Sequence, residues 1–186
     1  QYLQGEDIER CDFSGSKVTF GFSGAQQMID CNFNSSEIKF QLGNAIWGTQ
    51  GYVPRFISCD LTAGVFLFTG SNQTVISENL SNCDFSGSVV KGVFQDVNFQ
   101  NSNFTQSSFH IVPAPANIGE FPTSFKECDF TNTKISLVDR GGEDDSNKEV
   151  VFEDCNFISA DFSNTNTAQY IKFEASGDPN LQTNFN

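Results

Sequence analysis

Apolar residues recur at every fifth position along most of this chain, and that spacing limits the fold more than any other feature. Six triplets carry it: Ile8/Phe13/Val18, Met28/Phe33/Ile38, Phe56/Leu61/Phe66, Leu80/Phe85/Val90, Phe125/Phe130/Ile135 and Phe152/Phe157/Phe162. Between the fourth and fifth triplets the series runs on through Phe94, Phe99, Phe104 and Phe109. All twenty-two slots are apolar and fourteen are Phe. A period of five fits neither an amphipathic helix, at about 3.6, nor a simple strand, at about 2. It fits a chain that turns a corner every five residues.

A second, smaller class stands two residues before the middle and last slots. It includes Ser16, Ser36, Gly64, Ser88, Val97, Ser102, Ser107, Thr133 and Ala160. All six cysteines belong to it, each followed by Asp or Asn and then Phe or Leu: Cys11, Cys31, Cys59, Cys83, Cys128 and Cys155. With the large and the small residue inside and the other three in solvent, four sides close a coil of about twenty residues. Cys11 and Cys31 stand one such coil apart.

This pattern resembles the pentapeptide-repeat proteins, whose consensus is a small residue, Asp or Asn, Leu or Phe, then two variable polar residues. The resemblance covers roughly residues 6–162 and leaves 163–186 as a C-terminal tail of one domain. It implies an all-β, right-handed quadrilateral β-helix of about seven coils. Phe13, Phe33, Leu61, Phe85, Phe99, Phe104, Phe130 and Phe157 then stack inside, beside a column of the six cysteines that breaks near Val97 and Ser102. Cys in place of the usual Ala, Phe in place of Leu, and long interruptions set this chain apart from the common pattern.

The fourth side varies in length, and its insertions all leave from the same side of the solenoid, where repeat proteins place binding loops. Residues 42–55 hold Trp47 and Tyr52 in a Gly-rich stretch; they stack on a sugar or protein, or simply cover an edge. The stretch 139–147 is acidic but lacks the regular spacing of a calcium loop, so a solvated loop is the simpler reading.

A net charge of −13 argues against direct binding of nucleic acid or anionic lipid and favours cations or a basic protein surface. No stretch approaches the ~20 apolar residues of a membrane span. The start at Gln1 points to a processed form or a piece of a longer chain. Asn34, Asn72, Asn79 and Asn103 head N-x-S/T sequons that permit glycosylation.

Stacked cysteines one rung apart lie within Cα reach of a disulfide, but their parallel Cβ atoms stand farther apart than a relaxed bridge prefers, at about 4.8 Å. Thiols are therefore favoured; oxidation would join Cys11–Cys31, Cys59–Cys83 and Cys128–Cys155. No cysteine pair has zinc spacing, and the single histidine, His110, has no evident Ser or Cys partner. The recurring Asp12, Asp60, Asp84 and Asp129 follow from the turns of the repeat. No catalytic residue, metal or cofactor is expected.

The function expected from this reading is non-enzymatic, structural and extracellular: a protomer that assembles with its own copies end to end. Gln182-Thr183-Asn184-Phe185 reads as one more repeat unit at the terminus. The alternative is an acidic, protein-binding regulator similar to the gyrase-protecting pentapeptide-repeat proteins, which mimic DNA. Those dimerise through an apolar C-terminal helix that residues 163–186 do not offer. A polysaccharide-acting β-helix enzyme ranks last, since Arg10, Arg55 and Arg140 are the only arginines.

Overall fold

A computed structural model describes residues 2–3, 7–22, 27–42, 55–70, 75–76, 80–95, 98–113, 123–137, 150–163, 165 and 171–175. Trp47, Tyr52, Asn72, Asn79, Val97, Arg140, the acidic stretch 139–147 and residues 182–185 lie outside them.

Successive turns of one chain, all running the same way, stack as a parallel β-solenoid. One sheet runs through Ile8–Glu9 (β2), Gln27–Ile29 (β4), Arg55–Ile57 (β6), Leu80–Ser81 (β9), Asn98–Gln100 (β11), Thr123–Lys126 (β13), Val150–Glu153 (β15) and Ile171–Glu174 (β16). The facing sheet runs through Tyr2–Leu3 (β1), Lys17–Phe22 (β3), Glu37–Leu42 (β5), Val65–Gly70 (β7), Val89–Gln95 (β10), Ser108–Pro113 (β12) and Lys134–Leu137 (β14), with Val75–Ile76 (β8) beside β10. Every strand pair is parallel, and the partners are the slots themselves: Phe99 pairs with Phe125, and Phe125 with Phe152.

A narrower side joins the two sheets. There single bridges link Asp12, Asn32, Asp60, Asp84, Asn103, Asp129 and Asn156 in order. This side leaves the first sheet at Arg10, Asp30, Ser58, Asn82, Asn101, Glu127 and Asp154. It enters the second at Gly15, Ser35, Ala63, Gly87, Gln106, Asn132 and Ser159. All fourteen have positive φ, which turns the chain sharply at each corner. Asp and Asn suit that left-handed conformation; Arg10, Gln106 and Glu127 adopt it at an intrinsic cost of roughly 1–2 kcal/mol each, offset by the inter-coil bonds the corner permits. The amide of Arg10 donates to the carbonyl of Ile29, and that of Glu127 to Glu153, each at 2.9 Å.

Inside, the aromatic slots form two stacks. Phe85, Phe104, Phe130 and Phe157 lie almost parallel, with successive centroids 4.9, 4.9 and 5.2 Å apart. Phe99, Phe125 and Phe152 form the second stack at 4.7 and 4.9 Å. These separations equal the rung spacing of a sheet, so rings repeat in register with no gap between coils. The stacks meet edge to face; Phe125 and Phe130 are 75° apart in plane. Phe33, Leu61, Phe85, Phe99, Phe104, Phe130 and Phe157 are buried, while Phe13 and Cys11 in the first described coil are only half-buried. Phe94 sits in β10, in register with Val75 and Pro113.

Two features depart from the five-residue reading. Strands of the second sheet run on past the slot, by four residues in β3 and two in β14, so Phe20 and Leu137, each two residues past its slot, also point inward and are buried. Beyond the repeat stretch, β16 adds a further strand on β15, and Phe173 stacks 5.6 Å from Phe152.

The small column holds the cysteines, and among the described residues Ser102 is the one member that is not Cys. Each buried sulfur lies against two carbonyl oxygens, one in its own coil and one in the coil before: Cys59 Sγ is 3.2 Å from Met28 O and 3.5 Å from Ile57 O. Cys155 Sγ is 3.4 Å from Phe125 O and 3.3 Å from Glu153 O. Either carbonyl can accept the single S–H hydrogen, which a disulfide sulfur does not have. The hydrogen bond with Cys59 and burial hold the Cys83 thiol well above its ordinary range; burial and Cys155 do the same for Cys128. Such thiols stay protonated and unreactive at neutral pH. In the parallel serine column, Ser36 Oγ donates to Phe33 O at 2.6 Å, whereas the buried hydroxyls of Ser88 and Ser107 have no partner.

Urea unfolding should therefore give Phe130→Ala a loss of about 3–5 kcal/mol. Ser107→Ala, which removes an unsatisfied buried hydroxyl, should be neutral or stabilising by up to about 1 kcal/mol. Native protein should resist alkylation, and protein unfolded without reductant should take up six labels, one for each free thiol.

Candidate functional site

The side that carries the single bridges has a repeating outer chemistry. Each Asp or Asn of the ladder folds its side chain back onto the backbone amide two residues on. Asp12 Oδ1 accepts from Ser14 N at 2.9 Å, Asp84 Oδ1 from Ser86 N at 2.9 Å, and Asn103 Oδ1 from Thr105 N at 2.9 Å. At Asp60 and Asp129 the threonine hydroxyl donates as well, at 2.7 and 2.6 Å. The amide hydrogen of Ser14 holds the Asp12 carboxyl below its ordinary range. These bonds occupy one oxygen of each group and set its direction.

Charge is unevenly spread around the coil. On this side and its entry corner stand Asp12, Asp30, Asp60, Asp84, Glu127 and Asp129, all exposed or half-buried, and a buried Asp154. The one cation among those described positions is Arg10, which lies 3.6 Å from Glu9. The outer face of the second sheet is different: Lys17, Lys39, Lys91 and Lys134 are exposed there, against Glu37 and Asp161. Lys17 is paired with Glu37 at 2.8 Å. The two faces share one rigid frame.

The sequon residues in view serve the repeat. Asn34 donates from Nδ2 to Thr62 Oγ1, and Asn103 is half-buried in the ladder between Asp84 and Asp129. His110 does have a serine partner: Nδ1 lies 3.1 Å from Ser136 Oγ, twenty-six residues on. The signal was present in the sequence, since each follows its slot, Phe109 or Ile135, by one residue. The pair stands on an open sheet face. Among the described residues no group of three or more His, Cys, Asp or Glu is placed to hold a metal. No helix among the described residues is long and apolar enough to cross a membrane.

No protein-family model and no curated protein matches the chain. Among solved structures it is similar to two trypsin-treated variants of QnrB1, described as a plasmid-mediated fluoroquinolone resistance protein. One aligns over 93% of this chain and 79% of the other at 14% identity, with a TM-score of 0.32. The second covers 92% and 89% at 15% identity, with a TM-score of 0.30. Likeness at that level carries no inference about activity. The five-residue register, the parallel coils and the stacked Phe and Cys columns do identify the fold: the chain is a pentapeptide-repeat β-helix.

Proposed function

We propose that this protein is a non-catalytic binding rod whose acidic side docks on a cationic protein surface. The observation that carries the reading is the row of carboxylates at Asp12, Asp60, Asp84 and Asp129, each fixed in direction by the backbone amide two residues on, with Asp30 and Glu127 at the corner beside them. Carboxylates already ordered by the backbone lose little freedom when they meet lysine or arginine, so the charge arrives preorganised. A net charge of −13 adds long-range steering towards a basic partner. A surface built to hold nucleic acid is one such partner, which makes this the regulator reading rather than the structural one.

End-to-end assembly is a second reading, favoured by the two ends of the core. Phe173 occupies a core column yet is 43% exposed, and Ile8, Phe13 and Val18 are half-buried at the other end. An extracellular place and glycans on the sequons belong to this reading.

Replacing Asp60, Asp84 and Asp129 together by Asn keeps the turn-forming oxygen and removes three charges. Affinity for a basic probe such as a polylysine peptide, measured by calorimetry, should fall at least about tenfold at low salt, with unchanged thermal stability. Unchanged affinity would remove the acidic side as the interface. Sedimentation that grows with concentration and is abolished by Phe173→Glu would favour the end-to-end reading.

A further inference from the structure

One line of the second sheet's outer face carries no carboxylate. The register aligns Thr19, Lys39, Leu67, Lys91, His110 and Ser136 across successive coils, each one residue past an inward slot. In a chain with 23 acidic and 10 basic residues, this line holds two lysines and the single histidine and no acid. Glu37, beside Lys39, is taken by Lys17 at 2.8 Å, and Asp161 faces Lys134. Among the described residues neither Lys39 nor Lys91 has an ion-pair partner.

We propose that this line is a docking surface for an extended acidic peptide, with one carboxylate bridging Lys91 and His110 and a second meeting Lys39. The geometry selects the peptide. Lys91 and His110 are one rung apart, about 4.8 Å, so the two oxygens of one carboxylate reach both. Lys39 lies two rungs from Lys91, about 9–10 Å along the rod. An extended polyproline-type segment advances about 9.3 Å in three residues and returns the third to the same face. Carboxylates three residues apart therefore match the two positions. The half-buried Leu67 lies between them, where the two intervening residues would sit. Ser136 holds the His110 ring through Nδ1 at 3.1 Å, which leaves Nε2 for the ligand. A long polyanion such as nucleic acid fits less well, because the whole rod repels it.

This docking is independent of the acidic side and depends on pH. The groups facing His110 are Lys91 on β10, Ser108 on its own strand, and Lys134 and Ser136 on β14. Burial and then Lys91 keep the ring's pKa below its ordinary value, so it is neutral at pH 7.5 without ligand. A bound carboxylate opposes both effects. Binding should therefore tighten as pH falls and the ring takes up its proton.

The probe is the capped peptide Glu-Pro-Pro-Glu, titrated into the full chain and followed through the His110 ring signals and the amides of β5, β10 and β12. Saturation should raise the His110 pKa, and affinity should be at least about threefold higher at pH 5 than at pH 7.5. His110→Gln should abolish that pH dependence, and Lys91→Ala should weaken binding at both values. Both substitutions are on the outer face and should leave thermal unfolding unchanged. The assignment is overturned if the amides do not respond, or if Glu-Glu-Pro-Pro binds as well as Glu-Pro-Pro-Glu. It is also overturned if inorganic phosphate or a thymidine oligonucleotide produces the same shifts at equal concentration.

Discussion

Everything in this molecule depends on the in-register stacking of one phenylalanine on the next at the rung spacing of a parallel sheet. A backbone that pairs every 4.7–4.9 Å leaves room for one flat ring per coil on each column. Phe104 and Phe130 meet that limit, at 4.9 Å and 4°. The coil is narrow, so a ring on one side limits which residue fits beside it. At Gly64 a methyl group would lie 2.5 Å from the Phe66 ring, and the column accepts no side chain there.

That frame turns sequence spacing into surface pattern. Once the inward slots are fixed, the residue before each slot and the residue after it form straight outer lines, one member per coil. The side with the Asp and Asn ladder therefore becomes acidic although the carboxylates of its ladder, Asp12, Asp60, Asp84 and Asp129, are far apart in sequence. The neighbouring sheet acquires by the same rule an outer line that holds Lys39, Lys91 and His110 and no carboxylate. Neither face requires a loop, a pocket or a movable part. A rod built this way presents its charges already placed, which suits the proposed recognition of another extended surface.

Much of this was legible from the sequence and some was not, for definable reasons. The period of five located Phe33, Leu61, Phe104 and the cysteines because each must fill an identical slot in every coil. Phe20 and Leu137 escaped it because the second sheet's strands run on past the slot, so period two takes over locally. Arg10, Gln106 and Glu127 gave no sign of a left-handed corner, since the corner is imposed by the coil and opposed by the residue. His110 and Ser136 were separable only after the slot register was known, because the stretch between their coils has its own length. The charge of −13 described the whole chain correctly but hid the division into an acidic side and an outer line without carboxylates.

The central claim is that adjacent rings stabilise one another across coils, and a double-mutant cycle on Phe104 and Phe130 measures that directly. Each residue is changed to Leu alone and together, and unfolding free energies are determined in urea. Stacked rings predict a coupling of about 0.5–1.5 kcal/mol between the two sites, and none between Phe130 and the distant Phe13. Strict additivity for Phe104 and Phe130, equal to that of the distant pair, would contradict the account.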